Sequence, residues 1–81
     1  MRVKLLFFAT LRDRAGMKST EIDLPEGTTV LGLKDRVGHD FPGLSASLQT
    51  VLVAINHEYA SDETLVPGNA EIALFPPVSG G

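Results

Sequence analysis

Residues 20–41, Thr20-Glu21-Ile22-Asp23-Leu24-Pro25-Glu26-Gly27-Thr28-Thr29-Val30-Leu31-Gly32-Leu33-Lys34-Asp35-Arg36-Val37-Gly38-His39-Asp40-Phe41, change their apolar period half-way along. From Thr20 to Leu24 polar and apolar residues alternate, as in a half-buried strand. Pro25-Glu26-Gly27 is a turn, and Thr28 or Thr29 is a good N-cap. Beyond it Val30, Leu33, Val37 and Phe41 recur at helical spacing, with Lys34, Asp35 and Arg36 mostly on the outer side. Gly32 and Gly38 weaken such a helix by up to ~1 kcal/mol each relative to alanine. Burial against a sheet must therefore hold it, and close packing of its backbone on that sheet would account for the glycines. Pro42-Gly43 ends it.

Upstream, Val3 to Ala9 (VKLLFFA) reads as a strand that pairs with Thr20–Leu24 in a hairpin. Val3, Leu5 and Phe7 share one face, and Lys4, Leu6 and Phe8 the other. Leu6 and Phe8 are apolar where an open sheet face should be polar, so either both faces are covered or one presents an apolar patch to a partner. Thr10 to Ser19 reads as a connection, with one helical turn at Leu11-Arg12-Asp13-Arg14. Downstream, Ser45 to Gln49 forms a short turn and Val51 to Asn56 (VLVAIN) a central strand. Asn56-His57-Glu58 is a turn, with a short strand near Tyr59. Pro67-Gly68-Asn69 is a turn in which Gly68 or Asn69 takes positive φ, and Glu71 to Phe75 is the last strand. A hairpin, one main helix and further strands make an α+β fold, and the β-grasp (ubiquitin-like) arrangement fits this order best. The reading is a single domain over residues 1–75, with a mixed sheet and one main helix packed across it, and an extended, flexible C-terminal tail over residues 76–81.

Eighty-one residues with 43% apolar and 21% charged side chains suit one small domain, with little room for a deep catalytic cleft. The chain has no cysteine, which removes disulfides, thiolate catalysis and cysteine metal sites. A net charge of −3 argues against nucleic acid as a partner. No apolar run is long enough to span a membrane. Met1-Arg2-Val3-Lys4 leads into a run too brief for a secretory signal, so cytoplasmic residence is expected.

Side-chain constellations are missing. His39 and His57 are far apart and read as solvated surface histidines, and no metal site is expected. Asp62-Glu63 lies in a loop with nothing apolar to raise a pKa. The glycines match no phosphate-binding motif, and the serines lack a nucleophile elbow. The end of the sequence, Phe75-Pro76-Pro77-Val78-Ser79-Gly80-Gly81, is the exception. Two glycines there would arise by chance in roughly 0.5% of chains at an average usage near 7%. Pro76-Pro77 favours an extended start that loses little entropy on insertion, and Gly80 and Gly81 let a narrow tunnel close around the backbone. From Phe75 the arm reaches at most about 20 Å. Its expected reactive group is the main-chain carboxylate of Gly81. Once activated, as a mixed anhydride with AMP for example, that carboxylate accepts a sulfur or an amine nucleophile, and the side chains do not distinguish the two.

Three blocks carry a resemblance: Leu6-Phe7-Phe8-Ala9-Thr10-Leu11-Arg12, Val53-Ala54-Ile55-Asn56, and Glu71-Ile72-Ala73-Leu74-Phe75-Pro76-Pro77-Val78-Ser79-Gly80-Gly81. In order and spacing they resemble the MoaD-type small subunit of molybdopterin synthase, and PPVSGG is the most specific part. The resemblance implies a sulfur carrier that binds no cofactor itself and does no catalysis alone. Gly81 would be adenylated by a MoeB-type enzyme using ATP and converted to a thiocarboxylate. Pro76, Pro77, Val78, Ser79 and Gly80 would then enter a MoaE-type large subunit, in a heterotetramer, and sulfur would pass to precursor Z. Phe8 and Phe75 match positions of an apolar docking surface, and Arg12 one beside it. The family's Asp-Gly-Asp turn before the last strand is replaced by Gly68-Asn69-Ala70. Thiamin-type sulfur carriers are usually shorter and end without Pro-Pro-Val-Ser. A ubiquitin-like modifier joined to lysines through Gly81 needs the same tail, and an inert interaction module is a fourth reading.

Overall fold

In the computed structural model, which describes residues 1–77, the expected hairpin forms between β1 (Arg2–Phe7) and β2 (Ser19–Asp23). Strand β1 ends at Phe7, two residues short of Ala9, because the chain turns away at Ala9 (φ 54°) and the Leu11 amide donates to the Phe8 carbonyl at 3.1 Å. The connection is more helical than its polarity suggests. A six-residue helix α1 (Thr10–Ala15) buries Leu11 and ends on Gly16, whose φ of 77° suits glycine.

Helix α2 (Val30–Asp40) buries Val30, Leu33 and Val37. Its N-cap is Thr29, whose hydroxyl accepts from the Gly32 amide at 3.2 Å, while the Thr28 hydroxyl donates to the Pro25 carbonyl. Such a cap is worth about 1 kcal/mol. The glycines are explained differently from the expectation of packing on the sheet. A Cβ on Gly38 would lie 3.1 Å from Leu48 Cδ1, and one on Gly32 3.3 Å from Thr28 Cγ2. Their close neighbours are the segment after the helix and the turn before it. That following segment makes two 3-10 turns, Pro42–Leu44 and Ser47–Gln49, which send Leu44 and Leu48 into the core.

Strands β3 (Leu52–Ile55), β4 (Glu58–Tyr59) and β5 (Glu71–Phe75) complete a five-stranded mixed sheet in the order β2-β1-β5-β3-β4. Only β1 and β5 are parallel among the named pairs; the other neighbours run antiparallel. The departure from Asp-Gly-Asp leaves the turn before β5 intact, because Asn69 itself takes φ 60°. The Lys34 ammonium meets the Asp62 carboxylate at 2.7 Å, and Val30 and Leu31 amides donate to Thr64 and Asp62 carbonyls, fastening the β4–β5 loop to the start of α2.

The core is one cluster: Val3, Leu5 and Phe7 of β1, Val53 and Ile55 of β3, and Ile72 and Leu74 of β5 meet the buried stripe of α2. Each such side chain contributes roughly 1.5–3 kcal/mol through removal from water. No polar side chain is buried among the described residues. This is the ubiquitin-like β-grasp fold, and it leaves one face of the sheet without a helix.

Candidate functional site

Strand periodicity decides what that open face carries. Because alternate residues point to opposite sides, burying Leu5, Phe7, Ile72, Leu74 and Val53 turns Leu6, Ala73, Phe75, Leu52 and Ala54 outward. The register brings Leu52 beside Phe75, and Ala54 and Leu6 to either side of Ala73. Ala54 also pairs with Tyr59 across the β3–β4 hairpin. Just past β1, the Phe8 amide donates to the Leu74 carbonyl at 3.2 Å, extending the pairing by one residue.

Phe8 and Phe75 therefore stand side by side. Their rings stack with centroids 4.7 Å apart and planes 14° from parallel, and Tyr59 tilts toward Phe75 at 6.4 Å. Phe8 remains 40% exposed and Tyr59 75% exposed, so neither is core. The aromatics and the alanine pair outline a hollow of ≈ 280 Å³, with His57 and Glu71 at its rim. The floor is low because Ala54 and Ala73 have only methyl side chains. An open apolar hollow of this kind is a candidate interaction site.

Arg12 sits on α1, exposed, and borders a second hollow beside Phe8 together with Lys18. Thus all three residues expected at a partner surface, Phe8, Phe75 and Arg12, fall in one region. Pro76 is half-buried and Pro77 exposed, both following directly from Phe75. The root of the arm therefore lies at the edge of the aromatic face. Val78, Ser79, Gly80 and Gly81, the remainder of the expected tail, lie outside the described residues. His39 and His57 are exposed, as expected of surface histidines.

Three residues beside this face, Ala9, Asn56 and His57, hold positive φ. Ala9 has φ 54° and ψ −129°, a region that normally requires glycine and costs on the order of 1–3 kcal/mol. It turns the chain so that Phe8 stays on the sheet while Arg12 folds back beside it. Ala9→Gly is expected to raise Tm by a few degrees in a thermal melt, strain relief outweighing the added freedom of the unfolded chain. His57, at φ 75°, forms the β3–β4 turn with Asn56 at 49°. Asn56 secures that turn, its Oδ1 accepting from the Glu71 amide at 2.9 Å.

The ThiS family model matches this chain over residues 5–81, from β1 through the last residue. The chain belongs to the ThiS family. Among relatives of this ThiS-family chain, the molybdopterin synthase sulfur carrier subunit of Dictyostelium discoideum is 40% identical, with 96% of this chain and 94% of that one covered. The molybdopterin synthase sulfur carrier subunit of Arabidopsis thaliana is 33% identical, with 100% and 84% covered. SAMP1 from Haloferax volcanii, a small archaeal modifier protein, superposes with a TM-score of 0.87 at 29% identity, covering 100% of each chain. The resemblance carried by the three sequence blocks is to the same group of proteins.

Sequence reasoning did not single out Tyr59, Ala54, Ala73 or Lys18 as site residues. A two-residue strand offers no periodicity, and an alanine pair at the floor of a hollow looks like any other alanine. The outward-facing Leu6 and Phe8 are the one signal in the sequence, and both border this hollow.

Proposed function

We propose that this chain is the sulfur-carrying small subunit of a molybdopterin synthase, with its reactive group at the main-chain carboxylate of Gly81. What carries the reading is that the family match extends through residue 81, so that PPVSGG lies inside it. The names of the plant and slime-mould relatives support the pathway.

The chemistry follows from the group available. A carboxylate resists nucleophiles until an oxygen becomes a leaving group. A MoeB-type enzyme supplies this by joining the carboxylate to AMP from ATP, with release of pyrophosphate. Sulfur supplied at the level of hydrosulfide then attacks the carbonyl carbon, the carbonyl–AMP bond breaks with AMP as leaving group, and a thiocarboxylate remains on Gly81. The aromatic face docks on a MoaE-type large subunit, and Pro76 to Gly80 carry the thiocarboxylate to precursor Z. The pterin pocket and catalytic lysines belong to that partner, so this chain is a donor subunit without catalysis of its own, resident in the cytoplasm. Phe75 fixes the root of the arm to the docking surface. Phe75→Ala is expected to weaken binding to the large subunit about 30-fold, the size of an aromatic hot spot, in a calorimetric titration with the native fold retained. Unchanged affinity would remove Phe75 from the interface.

The likeness to SAMP1 favours a second reading, in which Gly81 is joined to lysines of other proteins. Reconstitution separates the two. Chain charged by the adenylating enzyme, ATP and a sulfur source is mixed with the large subunit and precursor Z. Molybdopterin formed in step with thiocarboxylate consumed supports the first reading. Gly-Gly remnants on lysines, without molybdopterin, would replace it with the second.

A further inference from the structure

The charges of this acidic chain are segregated. Residues 1–18 hold five of its seven Lys and Arg and one of its ten Asp and Glu; the other 63 residues hold two cations and nine acids. Folding divides those five cations again. Arg2 lies 3.2 Å from Asp23 and 3.4 Å from Glu21, and its hydrogen bond holds the Asp23 carboxyl below the usual carboxylate range. Lys4 stands in register between Glu21 on β2 and Glu71 on β5. Arg14 donates to the Ser47 hydroxyl. Arg12 and Lys18 are exposed and, like Lys4 and Arg14, make no ion pair among the described residues; they differ in standing together beside Phe8.

These two cations border one hollow of ≈ 360 Å³, together with Leu6 and Phe8. Leu6 and Phe8 also border the apolar hollow over Ala54 and Ala73. Phe8 is thus a ridge, with an apolar hollow on one side and a cationic one on the other. The strained turn at Ala9 holds that juxtaposition in place.

We infer that the protein surface received by this face is acidic at one edge, setting carboxylates opposite Arg12 and Lys18 while an apolar side chain enters the hollow over Ala54 and Ala73. The opposite charge on the rest of the chain orients the approach, because a carboxylate-bearing surface attracts this pole and repels the remainder. The inference rests on the proposed large-subunit partner and adds the chemistry of that partner's surface.

The test is stopped-flow association of the full chain with the purified MoaE-type subunit across a range of NaCl concentrations. Its variant is Arg12→Glu and Lys18→Glu combined with Glu26→Lys and Glu63→Lys, which keeps the net charge at −3. All four positions are exposed, and circular dichroism checks the fold. Wild-type association is expected to slow as salt rises. The variant is expected to associate at least about tenfold more slowly at low salt, with a flatter salt dependence. Equal rates and equal salt dependence in wild type and variant would overturn the inference and leave the large-subunit reading standing. A wild-type chain that does not bind the large subunit at any salt would overturn both.

Discussion

Deleting Gly81 is expected to abolish sulfur transfer while leaving thermal stability nearly unchanged. Among the described residues the buried core runs from Val3 to Leu74, and residues at a chain terminus seldom contribute packing. The deletion still leaves a carboxylate, now on Gly80. That group falls short of its former position by about 3.5 Å, the length of one extended residue. A misplacement of about 1 Å at a reacting centre already lowers rate by the order of 100-fold. Molybdopterin formation and a thermal melt of the same preparation check both halves. Retained transfer would detach the chemistry from Gly81, and a large fall in Tm would place the tail in the core.

Leu74→Ala is expected to do the reverse. Leu74 is fully buried on β5, between β1 and β3. Truncating such a leucine costs about 2–5 kcal/mol in lost burial and residual cavity. A domain of this size is stable by only about 4–12 kcal/mol, so Tm should fall by on the order of 15 °C. Its neighbour Phe75 points to the opposite side of the same strand, where Phe75→Ala is read as lost affinity. One position apart, the two substitutions separate fold from docking. Equal destabilisation by both in thermal melts would mean that the aromatic face is a second core.

The sequence was most legible where periodicity is unambiguous. The alternation of Thr20–Leu24, the helical spacing of Val30, Leu33 and Val37, and the apolar run Glu71–Phe75 each pointed to the element observed. Helix α1 was read short because only Leu11 of its six residues is buried, giving no repeat to detect. Gly38 was tied to the sheet, whereas it faces Leu48 across a 3-10 turn; backbone close approach names no partner from sequence. Of the site, Leu6 and Phe8 revealed the open face, since apolar residues at both phases of a strand need cover on both sides. The stacking of Phe8 on Phe75 depends on β1 and β5 being parallel neighbours, a long-range pairing that local pattern does not contain.

The central claim is that the carboxylate of Gly81 carries sulfur, and intact-mass measurement of the chain purified from its native host tests it most directly. The account predicts a species in which one oxygen is replaced by sulfur, localised to Gly81 by fragmentation, beside the carboxylate form. A chain found only as carboxylate, even after incubation with the adenylating enzyme, ATP and a sulfur source, would contradict it.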